Sequence, residues 1–264
     1  MAVLLAAGTA CSDVRDVAER QFDSGTPGKL VVAAEVPDPG FWEGAVDEIN
    51  GGFEYGLATA LADEFDLGLE VVQVPFDDVI EGRLGTADLA LQEVSVTPAR
   101  EEHVEFSVPY FETSPTVVAR RDGGDAAELT DLATAQEQRW AVREATTEAE
   151  FIEDVIRPEE EPLVLPDNNE ALRAVVEGRA DAALLDLAAA LVATDDSDVL
   201  VAVARFDKVE PIAAVLPAGS DNVSVLDQAI RRLLTDGTIE DLTERWLEPR
   251  FSEDPDALPV ILTS

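Results

Sequence analysis

RWAVREATTEAEFIEDVIRPEEEPLVLPDNNEALRAVVEGRADAALLD, residues 139–186, is the stretch that decides the fold. RWAVRE (139–144), PLVL (162–165) and ADAALLD (180–186) read as short apolar strands. Between them, TEAEFIEDVI (147–156) and NEALRAVVEG (169–178) space their apolar residues for helices. Strand and helix in alternation predict α/β layers with mostly parallel sheets.

The same rhythm runs upstream. LVVAAE (30–35) is a strand bounded by Pro37 and Pro39, and GFEYGLATALADEF (52–65) is helical in its spacing. LEVVQV (69–74), FDDVIEGRL (76–84) and DLALQEVSV (88–96) follow as strand, helix and strand. After a break at 121–126 the pattern restarts. PIAAVLP (211–217) is strand-like, and two helices, 222–235 and 239–247, close the chain. The rhythm thus occurs twice, around 29–110 and 120–205, which implies two α/β lobes with a cleft between them. Ligands in such folds sit beyond the C-terminal ends of the strands. GxGxxG and GxxxxGK[ST] are both missing from the sequence, so nucleotide binding has no motif support.

Composition narrows the function classes. At 264 residues the chain can form two modest domains. No apolar run reaches the roughly 20 residues that cross a bilayer as a helix. Fifty-six acids against 18 bases give a formal charge of −38, and Lys29 and Lys208 are the only lysines. That charge repels nucleic-acid phosphates. The acids are dispersed rather than blocked, as expected of a surface kept hydrated in concentrated salt. No DxDxDG-like calcium loop occurs, and a metal site or cofactor is not expected. His103, the one histidine, lies in an acidic stretch, which argues against histidine catalysis. Trp140 and Trp246 read as core residues.

Cys11, the sole cysteine, excludes an internal disulfide and a multi-cysteine zinc site. AVLLAAGTA (2–10) is short, apolar and rich in small residues, and a polar segment (12–28) follows Cys11. This resembles the end of a bacterial lipoprotein signal with Cys11 as the lipidated residue, although no basic segment precedes it. An N-terminal helix with a buried cysteine fits the same residues.

Three segments offer binding chemistry. In DLALQEVSVTPAREEHVEFSVPYF (88–111), Thr97 and Pro98 suit the N-cap and first position of a helix. Arg100 then falls in the first turn, where the helix dipole disfavours a cation unless an anion joins it. Ser95 and nearby amides could share that anion with the guanidinium. A surface arginine paired with Glu101 is the alternative. In RWAVREATTEAEF (139–151), Thr147 and Glu150 form a T-x-x-E capping box. Thr146 and Thr147 then present hydroxyls and free amides to an anion, or simply cap the helix. Asp186 ends an apolar strand, where a carboxylate needs a cation or several donors. It reads as a counter-ion for an ammonium, or as the N-cap of the helix beginning near Leu187.

Taken together, GGFEYGLATALADEF, FDDVIEGRLGTADLALQEVSVTPAREEHVEFSVPYF, GRADAALLD and LTDGTIEDLTERWL resemble the family 3 bacterial solute-binding proteins for polar amino acids. The resemblance spans about 29–250. It implies a periplasmic-binding-protein type II fold, two α/β lobes joined by two hinge strands. Lobe 1 would comprise 27–111 and 213–252, and lobe 2 would comprise 112–212. Residues 1–26 would be signal remnant and linker, and 253–264 a C-terminal tail. It also implies a non-enzymatic, monomeric protein outside the cytoplasm that binds a polar amino acid and delivers it to ABC permease subunits.

By the same resemblance Arg100 and Ser95 hold the ligand α-carboxylate, with Thr146 joining from the second lobe, and Asp186 receives the α-ammonium. Phe76 and one of Phe41 or Trp42 sandwich the ligand side chain, which Glu35, Glu93 and Arg143 face. Three positions depart from the pattern. Glu93 replaces a small residue, Gly56 replaces an aspartate, and Ala145 replaces a glycine. The excess of Glu35 and Glu93 over Arg143 leans toward a cationic side chain. A cyclohexadienyl dehydratase-like enzyme, with Glu93 as its acid, and a ligand-sensing domain are the alternatives.

Overall fold

The computed structural model describes residues 21–123, 126, 129–195, 197–252 and 254–263. Cys11 and the apolar stretch before it lie outside these residues. The strands of the first half are β1 (Lys29–Ala34), β2 (Glu43–Ala45), β3 (Glu48–Gly51), β4 (Gly68–Gln73), β5 (Leu89–Ala90), β6 (Val104–Phe106) and β7 (Phe111–Thr113). Then come β8 (Pro115–Arg120), β9 (Trp140–Arg143), β10 (Leu163–Leu165), β11 (Ala182–Asp186) and β12 (Leu200–Phe206). The last are β13 (Glu210–Ile212), β14 (Val215–Pro217) and β15 (Val260–Ile261). The helices are α1 (Phe53–Glu64), α2 (Phe76–Ile80), α3 (Leu132–Gln136), α4 (Thr147–Phe151), α5 (Asn168–Val176), α6 (Leu187–Thr194), α7 (Val223–Thr235) and α8 (Thr238–Trp246).

Two sheets organise the chain. The first runs β4-β1-β5-β14-β6, and the second runs β10-β9-β11-β8-β12-β15. In each, the strands carrying the loops of interest are parallel neighbours: β4, β1 and β5 in one, β10, β9 and β11 in the other. Such strands are covered on both faces and read as continuous apolar runs. In β1, Leu30, Val32 and Ala34 join one core while Val31 and Ala33 join the core on the opposite face. In β11, Ala182 and Leu184 enter one core and Ala183 and Leu185 the other. The strand period of two therefore assigns each residue to its layer.

The chain passes between lobes through β7 and β13, which pair antiparallel with each other, Glu210 opposite Thr113 and Ile212 opposite Phe111. The run expected as one strand at 211–217 is therefore broken. β13 belongs to this ribbon, whereas β14 belongs to the first sheet. After α8, residues 255–261 return to the second sheet, where β15 lies parallel to β12 at its edge.

Three segments depart from the expected elements. Of 88–96, only Leu89–Ala90 pair with β1, because Glu93 takes a left-handed φ of 51° and turns the chain out of the sheet. The helix expected over 76–84 ends at Ile80, and Gly82 (φ 76°) packs so closely on His103 that a Cβ would lie 2.7 Å from its carbonyl oxygen. The helix expected from Thr97 is a single 3-10 turn, Arg100–Glu102, into which Thr97 Oγ1 accepts the Arg100 N–H at 3.2 Å.

Candidate ligand-binding cleft

Loops at the C-terminal ends of β1, β4, β5, β9, β10 and β11 converge on one cavity of about 610 Å³. This convergence is the geometric reason open parallel sheets bind ligands at that end. The volume lies within the range of small-molecule sites. Of the sequence-derived candidates, Glu35, Phe76, Glu93, Ser95, Arg100, Arg143, Thr146, Thr147 and Asp186 line it. Phe41 and Trp42 do not. They are 1 % and 0 % exposed in the core of the first lobe, where Phe41 meets Phe53 edge-on. Among the expected aromatics only Phe76 faces the cavity.

Arg100 is 8 % exposed. Its Nη1 donates to the Ser95 carbonyl at 2.9 Å, and its Nη2 reaches across the cleft to the Ala145 carbonyl at 3.1 Å. Among the described residues it forms no salt bridge, so a buried cation is held by neutral carbonyls. Burial pulls its pKa down, while Glu148, Glu150, Asp186 and Glu210 counter that pull from a distance. Ser95 is buried, and its hydroxyl lies toward Glu210 on β13. A carboxylate entering this corner would meet a guanidinium without an anion of its own.

The helix after β9 begins one residue earlier than the T-x-x-E pattern implied. Thr146, not Thr147, is the N-cap: its Oγ1 accepts the Ala149 N–H at 3.2 Å and donates to the Arg143 carbonyl at 2.8 Å. Thr147 becomes the first helical residue and is buried in the cleft wall. The left-handed Ala145 (φ 59°) just before the cap sets this register.

Asp186 occupies the N-cap position of α6 yet makes no capping bond, and its Oδ1 is buried without a partner among the described residues. The capping alternative for its side chain is thereby set aside. Burial raises its pKa to about 7, Glu210 adds to the rise, and Thr113, Glu148 and Arg100 oppose it. Glu148, which sequence reading missed, is 4 % exposed and within hydrogen-bonding reach of Asp186. Its pKa also lies well above the ordinary carboxylate range, first through burial and then through Asp186 and Glu210. An orphaned carboxyl oxygen of this kind accepts a cation.

At the other end of the cavity Glu35 links the lobes. Its Oε1 accepts the Phe76 N–H at 3.2 Å, and its Oε2 pairs with Arg143 Nη2 at 2.8 Å. The Arg143 guanidinium lies over the Phe76 ring, 4.7 Å from its centroid, and Arg100 lies 5.3 Å from it on the same ring. Both cations are thus steered by one aromatic face. Asp38, also missed from sequence, stands beside Glu93, with their carboxyls within hydrogen-bonding reach.

Beneath this wall Glu54 is buried at 0 % exposure on α1. It accepts the Glu93 N–H at 2.8 Å, Trp42 Nε1–H at 2.8 Å and the Tyr110 hydroxyl. Burial raises its pKa, and those three donors lower it. Glu54 therefore pins the loop that presents Glu93, and Trp42 serves the site from below. Gly56, two residues on, lies under Leu242 of α8, where a Cβ would sit 2.3 Å from its Cδ2. Its smallness serves helix packing.

The sequence matches the model of the bacterial extracellular solute-binding proteins, family 3, over residues 30–249. The chain belongs to that family. It is 30 % identical over 207 residues to the amino-acid-binding protein AabA of Dichelobacter nodosus, covering 75 % of this chain and 80 % of that one. It is 26 % identical to a putative ABC transporter arginine-binding protein 2 of Escherichia coli, covering 75 % and 82 %. Among solved structures it resembles an amino acid ABC transporter substrate-binding protein of Streptococcus pneumoniae bound to L-arginine. That match has a TM-score of 0.74 and 26 % identity, over 86 % of this chain and 96 % of the other. An ancestral amino-acid-binding protein described as a precursor of cyclohexadienyl dehydratase matches with a TM-score of 0.74 and 26 % identity, over 84 % and 96 %.

Proposed function

We propose that this chain is the capture subunit of an amino acid ABC importer and grips a zwitterion between its lobes. Arg100 takes the α-carboxylate with the amides around Thr146 and Thr147, and Asp186 takes the α-ammonium. The observation that carries this reading is a buried guanidinium that, among the described residues, has no anion, set in the same cavity as a buried carboxyl oxygen that has no donor there. Each charged hydrogen bond contributes about 1.5–3 kcal/mol. Several together reach micromolar affinity, about −8 kcal/mol, after the costs of association. The ligand contacts both lobes and so favours the closed state, which the permease would read. The protein acts as a monomer outside the cytoplasm. Cys11 is its lipid anchor, testable by loss of detergent-phase partitioning in Cys11→Ser.

Isothermal calorimetry against the twenty amino acids tests the assignment. Arg100→Ala should weaken the best ligand about a hundredfold or more, the loss of two charged hydrogen bonds. Affinity near that of the unaltered protein would refute the carboxylate assignment. The Asp38 and Glu93 carboxyls, both raised by burial, also suit a general acid. The enzymatic alternative predicts turnover of prephenate or arogenate, followed by product absorbance. We expect none.

A further inference from the structure

Asp38 and Glu93 are not needed to hold a zwitterion, yet both line the cleft side by side and, among the described residues, neither forms a salt bridge. We infer that this carboxyl pair is a second cation subsite, which selects amino acids bearing an additional positive charge and releases a proton when they bind. The inference rests on the zwitterion reading above and extends the same site.

Four observations carry it. First, Glu35 is already committed to Arg143, so it does not neutralise an incoming cation unaided. Second, the Asp38 and Glu93 carboxyls lie within hydrogen-bonding reach of each other, a contact that needs one proton between them. Third, the left-handed backbone at Glu93, pinned through its N–H to Glu54, presents that side chain in the cavity wall. Fourth, Gln92 is 6 % exposed, lines the same cavity, and spends its Nε2 on the Val74 carbonyl at 2.8 Å. Its Oε1 is buried and has no partner among the described residues, an acceptor that an ammonium or guanidinium would satisfy.

The charges facing the pair come from several elements. Glu35 follows β1, Glu54 is on α1, and Tyr110 precedes β7. Arg143 closes β9 and Asp186 closes β11. Arg143 alone of these is cationic. Burial, then Glu54, raise Asp38 to about 7. Burial, then Asp38 and Asp186, hold Glu93 well above the ordinary range. A cation placed here favours the ionised pair, so binding expels the shared proton to solvent. Affinity for such a ligand accordingly rises with pH through the range in which the empty site still holds its proton.

The test compares L-arginine, L-lysine and L-ornithine with L-citrulline and L-glutamine by calorimetry in two buffers of different ionisation enthalpy. We expect the cationic ligands to bind at least tenfold more tightly at pH 7. At pH 6 they should release about one more proton each than the neutral ones. Their advantage should grow up to about tenfold per pH unit between pH 5 and 7. Asp38→Asn and Glu93→Gln should each collapse the ratio of cationic to neutral affinity and flatten its pH dependence. Equal affinity for neutral analogues, or equal proton release, overturns the second subsite while leaving the zwitterion reading intact. Failure of every amino acid to bind overturns both.

Discussion

Four described residues other than glycine have left-handed φ, Asp66, Glu93, Ala145 and Arg157, and two of them belong to the loops around the cleft. Ala145 and Glu93 both have left-handed φ, 59° and 51°, a conformation costing a residue with a Cβ about 1–2 kcal/mol. Both were conspicuous in sequence as departures from a small or glycine residue, and the structure supplies the reason. Ala145→Gly should therefore stabilise the fold by about 0.5–1 kcal/mol once glycine's extra chain entropy is offset, measured by urea unfolding. Glu93 keeps its strain because its carboxyl is placed in the cleft. Glu54 is the opposite case, an acid whose role was invisible in sequence because its three donors come from distant positions. Glu54→Leu takes the acceptor from the Glu93 N–H and the Tyr110 hydroxyl, leaves Trp42 Nε1–H with the Leu91 carbonyl at 3.2 Å, and should cost about 3 kcal/mol or more in the same assay. Phe41→Ala should cost about 3–5 kcal/mol of stability, as expected of a core aromatic rather than a ligand contact.

At the level of elements, the long periodic helices and apolar strands were legible: α1, α5, α7 and α8 and strands β1, β4, β9 and β11 fall close to their expected ranges. Short elements were not. β5 has two residues, β14 three, and α4 gives way after Phe151 to a π-helical stretch, 152–156. Such pieces exist because loops must turn into the cleft or cross between lobes, and local periodicity carries no trace of that demand. β15 is a further example. It pairs Val260 with Arg205 and Ile261 with Phe206, and Asp207 Oδ1 accepts the Thr263 N–H at 3.0 Å. Ile261 is fully buried in the second lobe. Ile261→Ala should lower stability by about 2–4 kcal/mol in urea.

For the whole molecule, charge and burial act in the same direction. Asp38 and Asp186 titrate in the fold at about 7, above the range of an unfolded aspartate, and Glu93 and Glu148 are also raised. Groups raised by folding stabilise it fully below their unfolded pKa, near 4, and lose that contribution as pH climbs through their folded values. The formal charge of −38 adds self-repulsion at neutral pH. The unliganded protein should therefore melt higher at pH 5 than at pH 8, and salt should narrow the gap by screening. A melting temperature that rises from pH 5 to 8 would contradict the protonated cleft.

The sequence by itself determined the α/β class, the doubled rhythm and nine of the residues that line the cleft. Those follow from local periodicity, from composition and from short motifs that keep their chemistry wherever the chain carries them. Only the tertiary structure decided that Phe41 and Trp42 belong to the core, that Thr146 caps α4, and that Asp38 and Glu148 face the cavity. It also decided which carboxyls stand within hydrogen-bonding reach of each other. Each of these depends on which loops two separate sheets bring together, and on how deeply that meeting buries a charge, and neither is a property of neighbours along the chain.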